Sequence, residues 1–248
     1  MDSPGYIVLS RLVAQSRAAA VTANNIANAD TPGFRAQRPL FGTVLERQLD
    51  AAVPSGGRDL AFAQDRATWR DTMPGAVATT GNPLDLALSN PDGYFVVETA
   101  RGERYTRAGR FSLDNEGRVV TPEGFPVLND AGQPIRVAQG DSRIEVMGDG
   151  MLRTENGPVG RLRVVRFADA QKLNAEGDRI FSRPEDMQAE PVERPGVVQG
   201  AMEGSNVRPV IELTRMTEEL REFQFVSQMV EKEGERLGSA VERILRRR

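Results

Sequence analysis

A chain of 248 residues with 39% apolar content can build one large domain or two modest ones around a sizeable core. Its formal net charge of -3, with acids and bases interspersed, offers no positive field for a polyanion, so nucleic acid is not an expected partner. The chain has neither Cys nor His, which removes thiol nucleophiles, imidazole bases, disulfides and the usual zinc sites; no catalytic residue, cofactor, metal or small-molecule substrate is expected.

The start Met1-Asp2-Ser3-Pro4 lacks the basic and apolar regions of a secretion signal, and no later stretch is apolar enough to span a bilayer. The expectation is a chain with no cleaved signal peptide and no membrane span. From Gly5 to Ala27 the sequence is rich in Ala without internal Gly or Pro, and Leu9, Leu12, Ala19, Ala23 and Ile26 recur at helical spacings. This predicts an amphipathic helix whose narrow, methyl-lined stripe buries little area alone and lets a partner approach closely. It runs into Asn24-Asn25-Ile26-Ala27-Asn28-Ala29-Asp30-Thr31-Pro32-Gly33-Phe34. Asn terminates helices by competing for backbone partners. Thr31-Pro32-Gly33 then turns the chain, Gly33 in a conformation costly for other residues, and Phe34 anchors it.

Residues 1–35 are thus assigned to the N-terminal helix and turn, and 36–83, which contain Pro54-Ser55-Gly56-Gly57 and show no strong period, to a connector. A central all-β domain is expected over 84–182. Asn90-Pro91-Asp92-Gly93 precedes Tyr94-Phe95-Val96-Val97, Asp114-Asn115-Glu116-Gly117 separates two apolar runs, and Asn129-Asp130-Ala131-Gly132 continues the punctuation. Arg161 to Phe167 reads as a late strand with one polar face. Residues 183–204, rich in Pro, Glu and Gly, read as a second, solvated connector.

Residues 205–248 are assigned to a long C-terminal helix. Leu213, Met216, Leu220, Phe223, Ser227, Val230, Gly234, Leu237, Val241 and Ile244 follow alternating steps of three and four, and Glu218, Glu219, Arg221, Glu231 and Glu235 flank them. This predicts a coiled-coil seam, with Glu219 off the contact. The run Val210 to Leu245 would extend roughly 54 Å, against roughly 35 Å for the first helix. A hairpin of the two leaves apolar surface for other subunits to cover. The expected class is α+β: two terminal helices paired as a coiled-coil-like stalk around an inserted β domain.

The carboxylates Asp85, Glu98, Glu103 and Asp114 could in principle form a glycosidase-like pair, making a secreted wall-lytic or carbohydrate-binding β protein the minor alternative. They fall at turns or in alternating strands, where solvated acids are ordinary. No Asp spacing matches a calcium loop.

The whole block from Asn24 to Phe34 resembles the signature of the axial proteins of the bacterial flagellum, the rod and hook family. Gly81 to Leu88, Gly93 to Val97, Tyr105-Thr106-Arg107-Ala108-Gly109-Arg110-Phe111 and Asp114 to Gly117 look like successive pieces of that family's β domain, and Ser205-Asn206-Val207 like the opening of its long C-terminal helix. Pro209, and Leu220-Arg221-Glu222-Phe223, depart from the family's commoner residues. The start of the chain, the Thr31 to Ala36 form and the length look most like the proximal-rod members, with distal-rod or hook-type members as the alternative. The resemblance implies a structural, non-enzymatic subunit. It implies export through the flagellar type III apparatus without a cleaved signal, and incorporation with copies of itself and other rod proteins into the periplasmic rod of the basal body. The assembly residues it then implies, with the periodicity, are Leu9, Leu12, Asn24, Asn25, Ile26, Asn28, Thr31, Gly33 and Phe34, and Leu213, Met216, Leu220, Phe223, Val230, Leu237, Val241 and Ile244.

Overall fold

The computed structural model describes residues 3–48, 58–141, 143–177 and 179–246, without the side chains of 3–4, 45–48, 58–60, 233, 237, 240–241 and 244–245. The turn signal Pro54 to Gly57 and the side chains of Leu237, Val241 and Ile244 therefore lie outside the described residues. The chain is α+β and divides into two compact units.

The first unit comprises Met1–Ala27, Gln37–Trp69 and Arg208–Arg248. It holds helix α1 (Ser3–Ala27), strands β1 (Gln37–Gln48) and β2 (Arg58–Arg70), which pair with each other, and helix α2 (Pro209–Leu245). The β1–β2 ladder occupies most of the stretch expected to be a connector. Its residues alternate too weakly between apolar and polar to reveal strands, and Gln37, Arg38, Arg66 and Arg70 dilute the pattern. Helix α2, 37 residues long, begins at Pro209 rather than at Ser205. Proline suits the first helical position, where its missing N–H costs nothing and its fixed φ is already helical. No helix among the described residues is long and apolar enough to cross a membrane.

The second unit comprises Asn28–Ala36 and Arg70–Val207. Its strands are β3 (Val77–Thr79), β4 (Leu86–Leu88), β5 (Tyr94–Thr99), β6 (Gly102–Thr106), β7 (Ser112–Leu113), β8 (Val119–Val120), β9 (Ile144–Val146), β10 (Met151–Thr154), β11 (Gly157–Arg161), β12 (Val164–Arg166), β13 (Asn174–Ala175), β14 (Ile180–Ser182), β15 (Glu190–Pro191), β16 (Val197–Gln199) and β17 (Ala201–Glu203). A six-stranded sheet runs β13-β14-β6-β5-β12-β15, and a three-stranded one β11-β10-β9. The pairs β4–β16 and β3–β17 are antiparallel, so the segment 183–204, expected as a solvated connector, returns along the start of the unit and closes it.

Strand β5 shows why the core forms here. Phe95 and Val97 enter one apolar cluster with Leu86, Phe111, Val119 and Leu152; Tyr94 and Val96 enter another with Tyr105, Val165 and Phe167. Alternate residues of a strand point to opposite faces, and both faces are covered. The same double burial accounts for Val164 and Val165, where a polar face was expected; the stretch Arg161 to Phe167 is also divided between β11 and β12. Edge-to-face rings fix the second cluster, with Tyr105 and Phe167 centroids 4.8 Å apart. The turn from Asp114 to Gly117 forms as its residues require. Asp114 Oδ1 accepts from the N–H groups of Glu116 and Arg118 at 2.9 and 2.8 Å, and Gly117 takes φ +74°.

Candidate functional site

The signature residues do two separate jobs, one in each unit. In the first unit Asn25 is fully buried and clamps the start of β1. Its Oδ1 accepts from the Gln37 N–H and its Nδ2 donates to the Gln37 carbonyl, both at 2.8 Å. The same Nδ2 donates to Glu212 Oε2 of α2 at 3.2 Å. Glu212, wholly buried, takes both arms of the Arg38 guanidinium, at 2.8 and 2.7 Å. Burial raises the Glu212 carboxyl, but the hydrogen bonds from Arg38 and Asn25 and the charge of Arg38 outweigh it and hold the group below the usual range. A fork-to-fork pair of this kind fixes direction as well as distance.

That geometry sets the rotation of α2 against α1. The contact line steps antiparallel through Asn25 with Glu212, Thr22 with Glu219 at 3.0 Å, and Gln15 with Glu222 at 3.2 Å, with Ala14, Val21 and Val226 buried beside it. The predicted seam is not the one α1 covers. Leu213, Leu220, Phe223 and Val230 remain 52, 49, 40 and 43% exposed, Met216 and Ser227 are half-buried, and Glu219, expected off the contact, faces α1. Periodicity counts only apolar side chains, whereas here the buried carboxylate of Glu212 and its donors decide which stripe turns inward. On the other flank of α2, Phe225 and Met229 are also exposed, as are Tyr6, Leu9 and Val13 of α1; Leu12 and Ile26 are half-buried.

In the second unit the rest of the signature is an anchor. Asn28 closes the turn through its carbonyl and Oδ1, which accept from the N–H and Oγ1 of Thr31, each at 3.2 Å. The Gly33 N–H donates to the Glu203 carbonyl at 2.9 Å. Glu203 is buried between two buried arginines: Arg35 Nη2 lies 2.8 Å from Oε1, and Arg107 Nε 2.6 Å from Oε2. Arg107 further donates to the carbonyls of Asn90, Gly93 and Leu88, and the Gly75 N–H to Glu203 Oε1. Burial lowers the Arg35 guanidinium despite the charge of Glu203 beside it. Asn206 completes the anchor. Its Oδ1 accepts from the Ala36 N–H at 2.7 Å, and its Nδ2 donates to the carbonyls of Asp71 and Met73 at 3.2 and 2.9 Å. Phe34, half-buried, presents its carbonyl to the Asn206 N–H.

Of these residues, Arg35, Arg107 and Asn206 stand inside the sequence blocks that carry the family resemblance. Glu203 and Glu212 do not announce themselves, because a lone Glu is ordinarily solvated. Gly33 takes φ +69°, and a Cβ there would lie 2.7 Å from the Arg107 carbonyl carbon and 2.8 Å from the Ala108 nitrogen. Gly33→Ala should therefore cost the unit about 3 kcal/mol, from the left-handed backbone and the displaced backbone of Arg107 and Ala108 together. Urea unfolding measures this, and a loss under about 0.5 kcal/mol, typical of a neutral surface change, would contradict so close an approach.

Three of the four carboxylates weighed for catalysis are otherwise engaged. Asp114 pairs with Arg118 at 2.7 Å and Glu103 with Arg163 at 2.7 Å; Asp85 is buried and accepts from Asn82. Glu98 sits opposite Glu103 in the β5–β6 ladder.

Three family models match this chain: "Flagella basal body rod protein" over residues 6–35, "Flagellar hook protein FlgE/F/G D1 domain" over 90–154, and "Flagellar basal body rod FlgEFG protein C-terminal" over 198–243. Among similar proteins, the flagellar basal-body rod protein FlgF of Caulobacter vibrioides is 36% identical, covering 98% of each chain. The FlgF of Salmonella typhimurium is 34% identical over 97% of each. The flagellar basal-body rod protein FlgG of Bacillus subtilis is 31% identical over 85% of this chain and 87% of that one.

Proposed function

We infer, since the chain belongs to the flagellar basal-body rod protein family, that it joins the proximal rod through the apolar flanks of α1 and α2. It is a structural subunit of the flagellar basal body and not an enzyme. The proximal position follows from likeness to FlgF, higher in identity and coverage than the likeness to FlgG. The observation that carries the assembly mechanism is the exposed apolar surface on both sides of the α1-covered line of α2: Leu213 and Leu220 on one side, Phe225 and Met229 on the other. A helix apolar on two flanks can meet two different neighbours, and head-to-tail contacts of that kind propagate into filaments. Neighbours are copies of this chain and other rod proteins, which pack these flanks as helical seams. The subunit reaches the periplasm through the flagellar export apparatus, without a cleaved signal.

Labelled subunit in purified basal bodies tests this reading. It should fractionate with the rod, keep its initial residues, and show no turnover of peptidoglycan. Its absence from the basal bodies of motile cells would overturn the reading, as would trimmed N-terminal residues for the export route.

A further inference from the structure

The α1–α2 contact contains a carboxylate that the assembly reading does not use. Glu219 accepts from Thr22 through Oε1, while its Oε2 is buried with no hydrogen-bond partner among the described residues; the Gln15 Oε1 is in the same condition on α1. The surroundings are unfavourable to a charge. On α2 its neighbours are the carboxylates of Glu212 and Glu222 and the cation of Arg215, and α1 meets it with the uncharged hydroxyl of Thr22. Arg38 of β1 is committed to Glu212. An ionised oxygen left without a donor opposes burial, and a neutral carboxyl carries a proton of its own to give.

We propose that Glu219 is a release point built into the helix pair: neutral, it lets α1 and α2 close on each other, and ionised, it loosens them. Burial pushes its carboxyl upward, Glu212 and Glu222 add to the push, and Thr22 and Arg215 oppose it. The sign follows. A carboxyl raised in the folded state adds stability that is full below its unfolded value and is lost as pH rises through the folded one. Glu212 works the other way, since its carboxyl is held low and supports the pair until pH falls through its folded value. The pair therefore weakens as pH rises above the ordinary carboxylate range, and the low-held Glu212 weakens it only as pH falls below that range. The device would let the helices separate for packing against other subunits, but its existence does not depend on that use.

The composition makes the test clean. With no His in the chain, no side chain has its ordinary pKa between about 5 and 7, so a proton-linked change centred in that window points to a raised carboxyl. Hydrogen exchange on the full chain, expressed as protection factors for the α1 amides, reads the closing equilibrium. Protection in the native sequence should fall as pH rises from about 5 to 7, the direction that linkage gives a carboxyl raised in the closed pair. Glu219→Gln should keep its pH 5 protection at pH 7, and Glu222→Gln should retain a falling slope. A flat native profile, or a slope in Glu219→Gln equal to the native one, overturns the proposal. Both outcomes are independent of whether the subunit enters basal bodies.

Discussion

Glu203→Ala should be the most damaging of the single substitutions considered for the β-rich unit, lowering its stability by about 3–5 kcal/mol, the usual cost of leaving a buried charge without its partner. The substitution leaves two buried guanidiniums, those of Arg35 and Arg107, facing an empty site. Arg107 has three carbonyls besides, but Arg35 already has a buried Nη1 without a partner among the described residues and loses its anion. Two cations share one carboxylate, so the cluster tolerates loss of a cation better than loss of the anion. Arg35→Met should accordingly be milder than Glu203→Ala, and Arg107→Met intermediate, because its removal also strands the carbonyls it binds. For a chain of this size each kcal/mol moves the melting temperature by about 2–4 °C. Thermal unfolding should show Glu203→Ala melting roughly 10 °C below the native protein by that scaling. A drop no larger than that of Arg35→Met would mean that the triad is solvated and does not anchor the segment Asn28–Ala36.

The triad also marks the border of what the sequence reveals. The two helices, the Asn-rich terminator, the Gly33 turn and the β punctuation from Asn90 to Gly132 are local signals, each carried by a few adjacent residues whose backbone preferences agree with the fold. The β1–β2 ladder is not local in that sense. Its strands hold Arg, Gln, Asp and Thr among their apolar residues, and the carboxylate that holds Arg38 at its start, Glu212, lies far away in sequence. Strands β15 to β17 are two or three residues long and pair with partners more than a hundred positions upstream in two of three cases, beyond the reach of a periodicity argument. The helical seam shows the same limit differently. The apolar heptad of α2 is present, but the face it turns to α1 is chosen by Glu212, Glu219 and their partners, and a hydrophobic pattern is silent about buried carboxylates. What the sequence gives correctly is that the apolar stripe exceeds what α1 can cover.

That uncovered stripe makes Leu220→Asp the decisive test of assembly. Leu220 is 49% exposed in the subunit, on the flank shared with Leu213. Replacing it there costs the folded chain no more than about 0.5 kcal/mol, the helix-propensity difference, so melting temperature and helix content should hold. Once a neighbouring helix covers the flank, the same carboxylate is desolvated without a counter-charge, a penalty of several kcal/mol that reduces incorporation by orders of magnitude. Cells carrying Leu213→Asp with Leu220→Asp should express and export the subunit, lack it in their basal bodies, and fail to spread in soft agar. Arg221→Gln, a polar exchange at the next residue, should be nearly silent by comparison. Phe225→Asp asks the same of the opposite flank: if both flanks carry neighbours, either lesion alone blocks growth of the rod, because a filament needs each subunit to bind on two sides. If Leu213→Asp with Leu220→Asp swims normally, the exposed stripe is surface and nothing more, and assembly must run through α1 or the β-rich unit instead.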